Sequence, residues 1–188
     1  MKEEEMLRKA EELKFTNAAF LDVDQLEFDP GLRRYCRENA CGNYGKNYAC
    51  PPDCGTPEEM EQRVRRYSRV LVLQTIQKLR DWTDPAQIRR ARKRHNDMTL
   101  AFAKGMEEQG EKGMKIMAGP CSLCETCGRS QGIPCRFPGQ LASCLSAYCI
   151  CAEKMAESCQ MPYWCGENTV AFFSMYLPED TGTPAVPG

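Results

Sequence analysis

The sequence predicts an α/β protein in which a small sheet of about four strands packs with helices and carries two cysteine-rich metal-binding loops. Segments with helical spacing of apolar residues alternate with short β-branched or aromatic runs, which predicts both kinds of element. Thirteen of the 188 residues are cysteines, and eight of these stand in two clusters. We expect one metal-binding domain over residues 1–178 and a flexible tail over residues 179–188, where proline and glycine are frequent.

Four helices are predicted, at residues 2–13, from Pro57, at 85–108 and at 146–158, because apolar residues recur there every three or four positions. The second helix begins with a capping box, since Thr56 precedes Pro57 and Glu59 is the third helical residue. Four strands are predicted at residues 18–23, 69–77, 115–118 and 169–177. The two cysteine clusters, residues 36–54 and 121–135, are predicted to be loops, and we name them the first and the second cysteine block.

Charge and cysteine content restrict the classes of function. Lys and Arg number 25 against 26 Asp and Glu, so neither nucleic acid nor a membrane is an expected partner. The acidic N-terminus does not resemble a secretory signal, and no apolar run reaches the roughly 18–20 residues that span a bilayer. We therefore expect a cytoplasmic protein with reduced thiols, and an odd number of cysteines cannot pair completely within the chain.

The second cysteine block gives the strongest signal. Cys121, Cys124 and Cys127 form a C-x2-C-x2-C motif, and Cys135 follows after seven residues. Three thiols at this spacing fit one face of a cubane cluster, as in bacterial ferredoxins, and a more distant cysteine closes the site. Zinc sites more often use two separated C-x2-C pairs. The block therefore favours a [4Fe-4S] cluster, with zinc as the alternative.

The first cysteine block supplies three clear ligands, Cys36, Cys41 and Cys50. Its glycines and asparagines permit tight turns whose amides can face sulfur. The fourth ligand stays open among Cys54, Cys149, Cys151 and the single histidine, His95. A further alternative is that no protein group binds the fourth iron, which would leave a Lewis-acid site for a substrate.

These motifs resemble a known family. The segments are Cys36-x4-Cys41-Gly42-Asn43-Tyr44-Gly45-Lys46-Asn47-x2-Cys50-Pro51-Pro52, Gly119-Pro120-Cys121-x2-Cys124-x2-Cys127 and Pro134-Cys135-Arg136-x-Pro138. From about Ala18 to Leu177 the chain is similar to prokaryotic predicted metal-binding proteins that form a domain of unknown function. The resemblance implies metal binding by seven cysteines, Cys36, Cys41, Cys50, Cys121, Cys124, Cys127 and Cys135. It specifies neither an activity nor a particular metal.

The other six cysteines depart from the family pattern. A glycine expected after the second block is Cys149, and further cysteines stand at positions 54, 144, 151, 159 and 165. Cys144, Cys151 and Cys159 share one stripe of the helix predicted at 146–158, which favours core packing in a reducing cell. Alternatively, Cys149 or Cys151 from this segment is the fourth ligand of the first cysteine block.

The sequence thus favours a cytoplasmic iron–sulfur protein with one or two [4Fe-4S] clusters and a redox or electron-transfer role. An enzyme with an open-site cluster and a structural zinc-binding interaction protein are the alternatives. The basic run Arg89–Arg94 is expected to face solvent, or else to dock an acidic redox partner protein. No motif in the sequence predicts an oligomeric state.

Overall fold

A computed structural model of the chain describes residues 3–179 and confirms the α/β class. In this range four antiparallel strands form one sheet in the order β1-β2-β4-β3. The strands are β1 (Asn17–Asp22), β2 (Arg69–Lys78), β3 (Gly113–Ile116) and β4 (Thr169–Pro178). Five helices accompany them, α1 (Glu3–Glu12), α2 (Arg33–Glu38), α3 (Pro57–Val64), α4 (Pro85–Glu108) and α5 (Ala152–Ser158). Apart from Glu179, the predicted tail lies outside the described residues.

Apolar side chains cover both faces of the sheet. On one face, α1 and α4 pack on Leu71, Leu73 and Tyr176, while α3 and α5 pack on Val70, Val72 and Met175 from the other face. Strand β2 is therefore buried on both sides, and this explains why its centre is a continuous apolar run instead of an alternating one. The cysteine blocks lie between these elements, where the chain has little regular structure.

Local signals in the sequence fix several helix ends. The predicted capping box is confirmed, since Thr56 Oγ1 accepts the Glu59 amide at 3.2 Å and Glu59 Oε2 accepts the Thr56 amide at 2.8 Å. Asp84 caps α4 by accepting the Ala86 amide at 2.8 Å. None of the helices within residues 3–179 is long and apolar enough to cross a bilayer.

Two element predictions need correction. The helix predicted at 146–158 begins only at Ala152, because Cys149 adopts a left-handed backbone with φ 58° and residues 145–149 form turns. The strand predicted at 115–118 is β3, which ends at Ile116. Ala118 has left the ladder, and its amide and carbonyl groups bond instead to the side-chain amide of Asn96 on α4. Helix α2, which carries Cys36, was not predicted.

Candidate metal centre

Backbone turns shape the first cysteine block. Helix α2 carries Cys36 and ends at Asn39, which has a left-handed backbone with φ 55°. The Asn39 side chain then accepts the Tyr44 amide at 2.9 Å. The Gly45 amide bonds to the Pro51 carbonyl at 2.9 Å and folds the block back on itself. These bonds bring Cys36, on the helix, to the same side as the cysteines of the loop.

Four cysteines line one cavity of about 270 Å³. Three come from the first block and one from the segment after the second block, and they are Cys36, Cys41, Cys50 and Cys144. We name this space the four-cysteine cavity. Tyr44 and Pro51 form part of its wall, and Pro120, which directly precedes Cys121, forms another part.

The thiols of this cavity affect one another electrostatically. Burial raises the pKa of the Cys36 thiol to about 11, and the charge of a Cys144 thiolate is the second cause. Burial raises the pKa of Cys50 further, again with Cys144 as the second cause and Cys41 as the third. A metal that binds here must displace protons from these thiols, so its affinity increases with pH.

Cys144 is held at the start of a turn. Burial raises the pKa of this thiol, whereas hydrogen bonds from the amides of Ala147 and Ser146 lower it by favouring the thiolate. The Tyr148 amide bonds to the Cys144 carbonyl at 3.2 Å, and an isolated bridge pairs Met117 with Cys144. The predicted helical stripe through Cys144 is therefore wrong, since this residue precedes α5 by several residues.

Two of the other candidate ligands lie against a buried arginine. Cys54 is 6% exposed, and its Sγ lies 3.7 Å from the donor Arg33 Nη2. Cys149 is buried, and Arg33 counteracts the effect of burial on its thiol pKa. Arg33 also donates to the Ala147 carbonyl at 2.7 Å and to the Gly55 carbonyl at 2.9 Å. Neither cysteine lines the four-cysteine cavity.

The remaining candidates lie elsewhere. Cys151 precedes α5, and its amide bonds to the Glu27 carbonyl at 2.9 Å. His95 is fully buried, with Nδ1 2.8 Å from Thr75 Oγ1 and its ring between Phe15 and Phe172. The structure thus places both residues outside the walls of the four-cysteine cavity.

The second cysteine block forms its own turn. The Ser130 amide bonds to the Cys127 carbonyl at 3.1 Å, and the Ile133 amide bonds to the Gly128 carbonyl at 3.0 Å. A Cβ atom on Gly128 would lie 2.7 Å from the Pro134 carbonyl oxygen, so this close return of the chain requires glycine. The turn carries the chain from Cys127 back to Cys135.

The cysteines of the second block are half-buried and interact with Cys121. Burial raises the pKa of the Cys121 thiol, the Leu123 amide lowers it by donating to the sulfur, and charges on Cys127, Cys124 and Cys135 raise it. The other three predicted ligands of this block are therefore within electrostatic reach of Cys121.

The two blocks contact each other directly. Asn47 is 3% exposed, and its Nδ2 donates to the Cys121 carbonyl at 2.9 Å. Tyr48 donates its hydroxyl proton to the Ile133 carbonyl at 2.9 Å. Arg129 Nε of the second block lies 2.8 Å from Asp53 Oδ1 of the first. Three polar contacts therefore join the blocks into one continuous part of the molecule.

The basic run on α4 is divided, which corrects the expectation that it faces solvent throughout. Arg89, Arg90 and Arg94 are exposed, and Lys93 pairs with Asp97 at 2.6 Å. Arg92 instead is half-buried and lines the four-cysteine cavity. A Cβ atom on Gly119 would lie 2.7 Å from Arg92 Cδ, so the glycine leaves room for this side chain.

The described residues contain neither a disulfide nor a group of side chains arranged to bind a single metal ion. Within residues 3–179, no three His, Cys, Asp or Glu side chains converge closely enough to hold one metal ion. All thirteen cysteines lie in this range, and all are free thiols. Cys36, Cys41, Cys50 and Cys144 instead line a common cavity.

Sequence comparison identifies a family for most of the chain. Residues 19–177 match the family model described as "Predicted metal-binding protein (DUF2284)". The comparisons with curated proteins and with solved structures found no match. The matched range includes both cysteine blocks, Cys144 and all four strands except the first two residues of β1 and the last residue of β4. The chain therefore belongs to the DUF2284 family of predicted metal-binding proteins.

Proposed function

We propose that this protein binds two [4Fe-4S] clusters, one at each cysteine block, and transfers electrons between partner proteins. In this role a cluster accepts one electron from a reduced carrier protein and passes it to an oxidised acceptor. The observation that carries the proposal is the grouping of cysteines into two neighbouring sets without a histidine or carboxylate among them. Donor sets made only of thiolate suit iron–sulfur clusters and zinc.

The space between the thiols favours a cluster over a single zinc ion. A Zn–S bond of about 2.3 Å places tetrahedral thiolates about 3.8 Å apart, with no room for a cavity between them. The four cysteines of the four-cysteine cavity instead share, with other lining residues, a space of about 270 Å³. This volume supports a polynuclear group, whose ligands stand further apart because several metal atoms lie between them.

Amide groups near sulfur support a redox role. Backbone amides lower the pKa of the Cys144 and Cys121 thiols, against the larger effect of burial. Hydrogen bonds to cluster sulfur stabilise the more negative, reduced state and so set the reduction potential. The contact between Asn47 and Cys121 joins the two blocks, which supports electron transfer between the two proposed clusters. We place the protein in the cytoplasm, where thirteen free thiols stay reduced.

Metal and sulfide analysis after anaerobic purification tests the proposal. We expect about eight irons and eight acid-labile sulfides per chain, with a broad visible absorption that decreases when dithionite reduces the clusters. A colourless protein with one or two zinc ions would refute the redox function and leave a structural metal protein. Iron that is present but cannot be reduced by dithionite would refute electron transfer and favour the Lewis-acid alternative.

A further inference from the structure

We infer that Cys144 is the fourth ligand of the first centre, so that Cys36, Cys41, Cys50 and Cys144 form a closed four-thiolate site. The inference rests on the proposed cluster at the first cysteine block and makes that proposal more specific. It selects electron transfer over the Lewis-acid alternative, because four thiolate ligands leave no open iron position for a substrate. The first centre then carries electrons and does not act as a Lewis acid.

The position of Cys144 is the first argument. It lines the same cavity as the three cysteines of the first block, from a part of the chain that follows the second block. The bridge between Met117 and Cys144 and the bond from the Met117 amide to the Ser143 carbonyl, 2.9 Å, hold this segment beside β3. These backbone bonds hold Cys144 at the wall of the cavity.

The turn around Cys144 is the second argument. The Tyr148 amide bonds to the Cys144 carbonyl at 3.2 Å, and the Cys149 amide bonds to the Ser146 carbonyl at 3.1 Å. Ser146, in the same turn, also lines the four-cysteine cavity. The turn therefore holds Cys144 at the wall of the cavity.

The other candidate ligands, Cys54 and Cys149, make different contacts. Cys54 is 6% exposed, and its Sγ lies 3.7 Å from the donor Arg33 Nη2. Cys149 belongs to the left-handed turn, where its carbonyl accepts the Asp29 amide at 2.8 Å. Neither side chain lines the four-cysteine cavity, so both serve as matched controls for Cys144.

Arg92 is the third argument, because it balances the charge of such a site. Four thiolates around a [4Fe-4S] cluster carry a net negative charge, and a half-buried site must compensate part of it. Arg92 is the one arginine or lysine that lines the four-cysteine cavity within the described residues. The side chain reaches the cavity wall past Gly119, where a larger residue would block it.

Cluster content of single variants tests the inference. In anaerobically purified full-length protein, Cys144→Ala should lower the iron from about eight to about four per chain, or to about seven with the electron-spin signal of a three-iron centre. Cys54→Ala and Cys149→Gly should keep the full iron and sulfide content of the wild type. A folded Cys144→Ala variant with wild-type iron, sulfide and spectrum would overturn the inference. Wild-type protein without iron would instead refute the proposed function itself.

Thiol labelling of the wild-type protein gives an independent test that needs no variant. We expect iodoacetamide to leave Cys144 unmodified in the iron-loaded protein and to label it after the iron is removed with a chelator, as read by peptide mass spectrometry. The half-exposed Cys165, which lies outside both blocks, should be labelled in both states and is the control. Full labelling of Cys144 in the iron-loaded protein would show that it does not bind the cluster.

Discussion

The single histidine should make the stability of the protein depend on pH, by an amount that can be calculated from its pKa. His95 is fully buried, and burial lowers its pKa from about 6.5 to about 4. Its Nδ1 contacts Thr75 Oγ1 at 2.8 Å, whereas Nε2 has no hydrogen-bond partner among the described residues. The folded protein therefore keeps this ring neutral at a pH where the unfolded chain already binds a proton.

The sign and size of the effect follow from linkage. Between pH 6.5 and pH 4 the unfolded state binds more protons at this position, so the free energy of unfolding decreases as the pH falls. Above pH 6.5 both states are neutral and the full stability is present. The difference in pKa corresponds to about 3.4 kcal/mol when fully developed below pH 4, and to about 1.4 kcal/mol at pH 5.5.

Urea unfolding at pH 7.5 and at pH 5.5 measures this loss. Protons also compete with metal for the cysteine thiolates, so metal binding makes the stability depend on pH as well. A comparison with His95→Leu separates the contribution of the histidine. The variant keeps the apolar packing against Phe15 and Phe172 but cannot titrate. We expect the wild type to lose about 1.4 kcal/mol more than the variant over this interval. An identical loss in both proteins would refute the assignment of a neutral buried imidazole.

Three further changes have defined outcomes. Cys124→Ser should remove the cluster of the second block and halve the iron content, as measured by elemental analysis of the purified protein. Thr56→Ala should lower the free energy of unfolding by about 1 kcal/mol, because the Glu59 amide loses its acceptor at 3.2 Å; chemical denaturation measures this. Asn47→Ala should lower the free energy of unfolding by about 1–3 kcal/mol, because the Cys121 carbonyl loses its buried donor. A redox titration of this variant should also show shifted midpoint potentials. Unchanged stability and potentials would show that the contact between the blocks is unimportant.

Local patterns in the sequence predicted most of the fold. Helix α4 was predicted over its full extent because its long apolar stripe is a pattern within the helix itself. Strands β2 and β4 were predicted for the same reason, since β-branched and aromatic runs are visible without tertiary information. Strand pairing and the order β1-β2-β4-β3 depend on contacts between distant segments and could not be derived from the sequence.

The position of Cys144 needed the structure. The C-x2-C-x2-C motif and the three cysteines of the first block are close in sequence, so their spacing alone predicted candidate ligands. Cys144 reaches the first centre from beyond the second block, and only the pairing with Met117 brings it there. The glycine that the family pattern places at position 149 was the available signal, because a left-handed residue there is incompatible with a continuous helix through Cys144.

The two cysteine blocks depend on each other for their arrangement. A cluster at the four-cysteine cavity would join α2, the first block and the segment at Cys144, which the chain otherwise connects only by way of the second block. Asn47 and Tyr48 then join the same first block to Cys121 and Ile133. Because neither block has a regular helix or strand at its centre, ligand bonds at one centre restrict the backbone that presents ligands at the other. This arrangement favours binding of the two clusters as a coupled process, in which the loss of either centre weakens the site that remains.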